Sequence, residues 1–423
     1  MSGSNEYTAT EASRLMAAGK LTAVQLAEDC LARVAERERD VQAWAYIDAG
    51  HVLDQARKLD GETRRSALHG MPVGVKDIID TFDMPTEYGS PIYPGHRPRW
   101  DAACVAALRN AGALIMGKTV TTEFAVRHPN KTRNPHNLSH TPGGSSSGSA
   151  AGVADRMMPL ALGTQTGGSV VRPSAYCGVV GLKPSYGIIN RAGVKPNSES
   201  LDTVGLMARS VQDVAMMLAV MTAQPPEELK PARPRIGFYR TPQWPRADDA
   251  TRTLIEEAAS RAAKAGAVVR EIALPAAFDG IEAAHGAIND YDMNRALTYE
   301  RAHHPEKISA TLMAKIVQSD ACTFEQYVAA QRHAAKCRAL LADAFSDVDV
   351  LLVPSAPGEA PATLSTTGES TFNRIWTALH VPAVTLPVFK GPTGLPIGVQ
   401  LIGPFGGDLK MLACAEWVYR VLL

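Results

Sequence analysis

The chain has 423 residues, 45% of them apolar, and its 43 Lys plus Arg balance 43 Asp plus Glu, so the formal net charge is zero. A neutral chain has no global field to gather nucleic acid or an anionic membrane, and it contains no run of about 18 apolar residues that would suggest a spanning helix. The expected partner is therefore a small molecule, with no nucleic acid and no membrane. The N-terminal stretch MSGSNEYTATEASRL is polar and lacks a basic segment leading into an apolar run, so no signal peptide is expected. Cys30, Cys104, Cys177, Cys322, Cys337 and Cys414 are scattered without a C-x-x-C pair and read as reduced thiols of a cytoplasmic protein.

The chain opens with helices. Thr8-Ala9-Thr10-Glu11 and Thr22-Ala23-Val24-Gln25 fit the capping-box pattern, and Val24, Ala27, Leu31 and Val34 follow at helical spacing. The run Glu36-Arg37-Glu38-Arg39 reads as the solvated end of that helix. Short apolar strands then alternate with helices: Val73 to Val75 leading into Lys76, Ala113 to Met116, and Met158 to Leu162. From Thr141 to Gly181 the chain is dense in Gly and Ser, but apolar runs at Met157 to Leu162 and Cys177 to Leu182 argue against a flexible linker. Pro225, Pro226, Pro231 and Pro234 predict a break near 224–234. Beyond it come a strand, Ile236 to Tyr239, and a helix from about Asp248 to Ala265 with Gly266 as its stop. A strand over Val268 to Leu274, a helical region from about 282 to 346, strands at Val350 to Val353 and Ile397 to Ile402, and a last helix complete the chain. Strands alternating with helices over the whole length predict an α/β architecture with a parallel or mixed sheet.

Three segments carry the chemistry: Gly74-Val75-Lys76-Asp77, Gly143-Gly144-Ser145-Ser146-Ser147-Gly148-Ser149, and Gly163-Thr164-Gln165-Thr166-Gly167-Gly168-Ser169. Taken singly, each has an ordinary reading as a surface lysine or a phosphate-wrapping loop. Jointly they can do more. A serine hydroxyl is a weak nucleophile and needs a base beside it. A lysine serves as that base only when burial keeps it neutral, and Lys76 is flanked by Val73, Val75, Ile78 and Ile79. A second serine between the two can both donate and accept a proton. Glycines just before a nucleophile leave backbone N–H groups open for an oxyanion hole.

These segments resemble the amidase-signature family: G-V-K-D, then P-G-G-S-S-S-G-S-A, then L-A-L-G-T-Q-T-G-G-S-V-V-R-P, then C-G-V-V-G-L-K-P-S-Y-G. The resemblance runs from the N-terminal helices to Leu395-Pro396-Ile397-Gly398-Val399-Gln400-Leu401-Ile402-Gly403 and is weakest between about 220 and 345. It implies a central mixed β-sheet covered by helices on both faces. It also implies one amidase domain over 1–423: N-terminal helices in 6–60, a signature core in 70–220, a helical region in 235–346, and closing strands and helix in 347–423. By the same resemblance Lys76 is the base and Ser145 the bridging serine, with a cis peptide bond before it. Ser169 is the nucleophile, and the N–H groups of Thr166, Gly167, Gly168 and Ser169 form the oxyanion hole.

Two positions depart from the commonest family pattern, G-T-D-T-G-G-S-I-R. Gln165 stands where the Asp does, and Arg172 follows the nucleophile by three residues. This form resembles the malonamidase-like branch, as do Asp77-Ile78-Ile79-Asp80-Thr81, Met84-Pro85-Thr86-Glu87 and Phe372-Asn373-Arg374-Ile375-Trp376-Thr377. The resemblance assigns Arg172 to a substrate carboxylate, which a guanidinium grips bidentately. The alternative is a structural arginine paired with a core acid.

The expected function is therefore a serine hydrolase of linear amides that works through an acyl-enzyme, with a preference for small or carboxylate-bearing acyl groups such as malonamate. One alternative is a broad amidase or esterase acting on aryl amides or carbamates (urethanes). Another is a nucleotide or small-molecule binder using the Gly-rich loops. Membership of an amidotransferase that acts on misacylated tRNA is disfavoured by the altered Asp–Arg pattern and the neutral charge. Gly112-Ala113-Leu114-Ile115-Met116-Gly117-Lys118-Thr119 matches G-x-x-x-x-G-K-[ST], but its four middle residues are the apolar strand itself, which leaves no loop for a phosphate. His136 and His140 have no supporting ligands, so no metal is expected. No cofactor is implied, and a homodimer is expected by frequency alone.

Overall fold

The computed structural model describes residues 3–126, 128–224 and 229–423. Eleven strands among them form one sheet: β1 (Trp44–Ile47), β2 (Pro72–Lys76), β3 (Leu114–Thr119), β4 (Leu160–Gln165), β5 (Val180–Lys183), β6 (Thr203–Ala208), β7 (Arg235–Phe238), β8 (Val268–Glu271), β9 (Val350–Pro354), β10 (Ala383–Lys390) and β11 (Pro396–Ile402). Their order is β1-β3-β2-β4-β6-β5-β10-β11-β9-β7-β8. The sheet is mixed. β2 runs parallel to β3 and β4, and β7 runs parallel to β8 and β9, while the pairings between these two groups are antiparallel. Every residue of β2, β3 and β4 is buried, as expected of parallel strands covered on both faces.

Helices flank the sheet. Ser147–Ala154 packs on β2, β3 and β4 and against Val171–Cys177, which lies on β5, β10 and β11. Asp408–Leu422 packs on both Val211–Met221 and Asp249–Lys264, and all three pack on the sheet. The first helix can lie so close because it is rich in small residues: a Cβ on Gly148 would sit 2.1 Å from the Ala43 carbonyl oxygen and 2.4 Å from the Val120 nitrogen. The Gly/Ser-rich stretch is thus packed core, its helix buried from Ser147 to Val153.

Most predicted elements fall where the residues place them. Both capping boxes form, at Thr8 with Glu11 and at Thr22 with Gln25. Gly266, at φ +100°, follows the helix Asp249–Lys264 and its capping residue Ala265. The 282–346 region is four α-helices, Ile281–Ala296, Thr298–His303, Ala310–Ser319 and Phe324–Ala344, with a 3-10 turn at Pro305–Lys307. Pro225 and Pro226 lie outside the described residues. The charged run at 36–39 differs from expectation. Arg37 pairs with the buried Asp155 at 3.1 Å, and the Glu38 carboxylate accepts the Ala43 and Trp44 N–H groups at 2.8 and 2.9 Å. Glu38 ties the helix end to the start of β1 and Arg37 ties it to Asp155, just past the helix Ser147–Ala154, leaving Glu36 and Arg39 exposed.

Candidate active site

β2 and β4 are adjacent and parallel, so their carboxyl ends emerge side by side. Open α/β sheets bind ligands beyond those ends. Lys76 is the last residue of β2, and its side chain is fully buried. Its Nζ donates to Ser145 Oγ at 2.7 Å and to Thr164 Oγ1, on β4, at 2.8 Å. Burial pushes the Lys76 ammonium down from 10.5 to about 7, against an upward pull from Asp202 and with a further downward push from Arg172. The amine is therefore partly neutral at pH 7 and hydrogen-bonded to a hydroxyl.

The Gly144–Ser145 peptide bond is cis. Ser145 and Ser169 line one cavity of about 680 Å³, together with Thr166, Gly167, Gly168 and Arg172. The two segments are bonded directly, the Ser146 N–H donating to the Ser169 carbonyl at 3.3 Å. All the residues expected at the site thus meet around one cavity, with Lys76 behind Ser145 in the core. The N–H groups of Thr166, Gly167, Gly168 and Ser169 have no acceptor among the described residues. Gly168 is required by close packing, since a Cβ there would lie 2.4 Å from Asn373 Oδ1.

Arg172 is buried on the cavity wall, where its Nη2 donates to the Gly144 carbonyl at 2.5 Å and to Thr367 Oγ1 at 3.2 Å. It therefore braces the peptide that carries Ser145 as well as facing the cavity. Gln165 replaces an acid with a two-ended group. Its Oε1 accepts the Val170 and Val171 N–H groups at 2.9 and 3.1 Å, and its Nε2 donates to Thr377 Oγ1 at 3.1 Å. Lys118, the lysine of the phosphate-loop look-alike, is buried on β3 and paired with Asp77 at 3.1 Å.

Four residues of the site carried no signal that sequence reading used. Thr164 is the second partner of Lys76. Asp202 accepts the Thr166 hydroxyl at 2.5 Å and the Asn197 and Ser198 N–H groups at 2.8 and 3.0 Å. His285 bonds the Thr166 carbonyl through Nε2 at 2.8 Å. The Thr377 hydroxyl donates to the Gly167 carbonyl at 3.0 Å. Thr164 and Thr377 lay inside quoted motifs, Thr377 only as a mark of resemblance, and neither was given a role of its own.

The fold and the site define a class: over residues 25–412 the chain matches the family described as Amidase, and it belongs to that family. It is an amidase, an enzyme that hydrolyses amide C–N bonds. Among curated relatives it is 34% identical to the A component of the glutamyl-tRNA(Gln) amidotransferase of Symbiobacterium thermophilum, over 98% of this chain and 96% of that one. Among solved structures it superposes on one described as an amidase with a TM-score of 0.90 and 30% identity, covering 99% of this chain and 100% of the other. It superposes on the peptide amidase of Stenotrophomonas maltophilia with a TM-score of 0.85 and 30% identity, covering 99% and 97%. No helix among the described residues is long and apolar enough to cross a membrane.

Proposed function

We propose that this amidase works through an acyl-enzyme on Ser169, with Ser145 as proton bridge and Lys76 as base. The observation that carries the reading is the buried Lys76 Nζ, 2.7 Å from Ser145 Oγ, behind the cavity that Ser145 and Ser169 line. Neutral Lys76 takes a proton from Ser145 as Ser145 takes one from Ser169. Ser169 Oγ bonds to the amide carbon, and the carbonyl electrons move to the oxygen, which meets the N–H groups of Thr166, Gly167, Gly168 and Ser169. The proton returns through Ser145 to the leaving nitrogen as the C–N bond breaks. Water then attacks the ester, activated along the same row, and frees Ser169. Losing one such donor costs about 10²–10³ in rate in comparable chemistry.

A preference for small, carboxylate-bearing acyl groups of the malonamate kind is supported by Arg172 on the cavity wall. The test compares malonamate with an uncharged amide of similar size, and with aryl amides, esters and carbamates, using Ser169→Ala and Lys76→Ala as controls. Faster turnover of malonamate supports the preference, and equal kcat/KM for both amides contradicts it. A second reading, the A component of a glutamyl-tRNA(Gln) amidotransferase, is favoured by the 34% relative. It predicts hydrolysis of glutamine ahead of the other amides in the same panel.

A further inference from the structure

A trans peptide unit is planar, and its C=O and N–H point in opposite directions. Fixing the carbonyl of one residue therefore aims the N–H of the next. Three consecutive carbonyls before the expected nucleophile are held. Thr166 O is bonded to His285 Nε2 at 2.8 Å, Gly167 O accepts the Thr377 hydroxyl at 3.0 Å, and Gly168 O accepts the Arg172 N–H at 2.9 Å. The N–H groups aimed the opposite way are those of Gly167, Gly168 and Ser169.

We infer that His285 and Thr377 are positioning residues, a clamp that turns the Gly167 and Gly168 N–H groups toward the substrate carbonyl. The inference rests on the reading of Ser169 as nucleophile. A carbonyl only accepts, so His285 Nε2 carries the hydrogen. Burial pushes that imidazole down to about 4, with Arg374 adding to the fall against the pull of the Thr166 carbonyl, so the ring is neutral at working pH. Its Cε1 lies 3.8 Å from where a Cβ on Gly167 would stand, so the ring packs against the loop it bonds. Thr377 is itself oriented. Gln165 Nε2 donates to its oxygen at 3.1 Å, which leaves the hydroxyl hydrogen for a carbonyl, and the Gly167 carbonyl at 3.0 Å is nearer than that of Asn373 at 3.4 Å. An aspartate at 165 has no donor to give, so Gln165 and the Thr377 clamp belong together. His285 comes from the helix Ile281–Ala296, far along the chain from the loop it bonds.

The experiment measures kcat and KM on one amide for wild type, His285→Ala, His285→Gln, Thr377→Val and Thr377→Ser, with melting temperature alongside. Gln places an amide donor near the position of Nε2, and Ser keeps the hydroxyl that Val removes. Misaiming a donor is milder than deleting one, so His285→Ala and Thr377→Val should each lower kcat about 10–100-fold with KM changed less than about threefold. His285→Gln and Thr377→Ser should recover to within about threefold of wild type. Full kcat in a folded His285→Ala, or a loss that Gln does not rescue and that follows the melting temperature, overturns the clamp. A fluorophosphonate that fails to label Ser169 in wild type removes instead the nucleophile reading, and the clamp falls with it.

Discussion

Replacing Lys76 with Met exchanges a buried amine for an apolar chain of similar length and should stabilise the protein while abolishing its activity. Burial takes the lysine from 10.5 to about 7, so at pH 6 the folded protein carries a desolvated charge. At about 1.4 kcal/mol per pH unit, that penalty is on the order of 5 kcal/mol. Met leaves Ser145 and Thr164 without the amine they now bond, which costs about 1–3 kcal/mol. The net gain at pH 6 is about 2–4 kcal/mol. The sign follows from proton counts. Between pH 7 and 10.5 the unfolded lysine binds more protons than the folded one, so wild-type stability rises with pH there and the advantage of Met shrinks. By pH 10.5 it should be gone, leaving only the lost hydrogen bonds. Urea unfolding of both proteins at pH 6, 7, 8, 9 and 10 measures the difference directly, and subtraction cancels every other titrating group, Lys183 included. A stability difference that does not change with pH would refute the reasoning, because it would mean that Lys76 keeps its proton when folded.

Three further outcomes follow from the same geometry. Ser145→Ala should lower kcat/KM by about 10²–10⁴ without a matching fall in melting temperature, since it removes the proton bridge but little volume. Asp77→Asn strands the Lys118 ammonium in the core beside the site and should cost about 3–5 kcal/mol in chemical denaturation. Arg172→Lys keeps a positive charge but loses the rigid guanidinium whose Nη2 reaches both the Gly144 carbonyl and Thr367. It should lower kcat on every amide tested, and a loss confined to carboxylate-bearing substrates would assign Arg172 to the acyl group alone.

The parts of the fold that were legible were those with uniform chemistry. β2, β4, β7, β9 and β11 announced themselves as short apolar runs. The apolar run marks β3 only as far as Met116, because Gly117, Lys118 and Thr119 look like the end of a strand. They stay in the strand because Asp77 offers Lys118 a buried partner. β10 was missed because Pro387 interrupts it, and the ladder absorbs that proline in a register shift between Leu386 and Phe389. In the site, Lys76, Ser145 and Ser169 were legible because their chemistry sits in dense, nearly continuous motifs. Asp202 and His285 were not, because each acts on the backbone of the Thr166 loop or on a side chain there from a distant segment. A side chain that serves a peptide group from a distant segment leaves no local pattern in sequence. Gln165 was noticed as a departure, but its meaning required Thr377, 212 positions away along the chain.

The central claim, that a neutral Lys76 activates Ser169 through Ser145, is tested most directly by the pH dependence of fluorophosphonate labelling, with the modified residue located by mass spectrometry. The account predicts adduct on Ser169 alone, a labelling rate that falls about tenfold per pH unit below about 7, and a slow rate without that limb in Lys76→Ala. A label on another residue, or a wild-type rate flat from acid to alkaline pH, would contradict it.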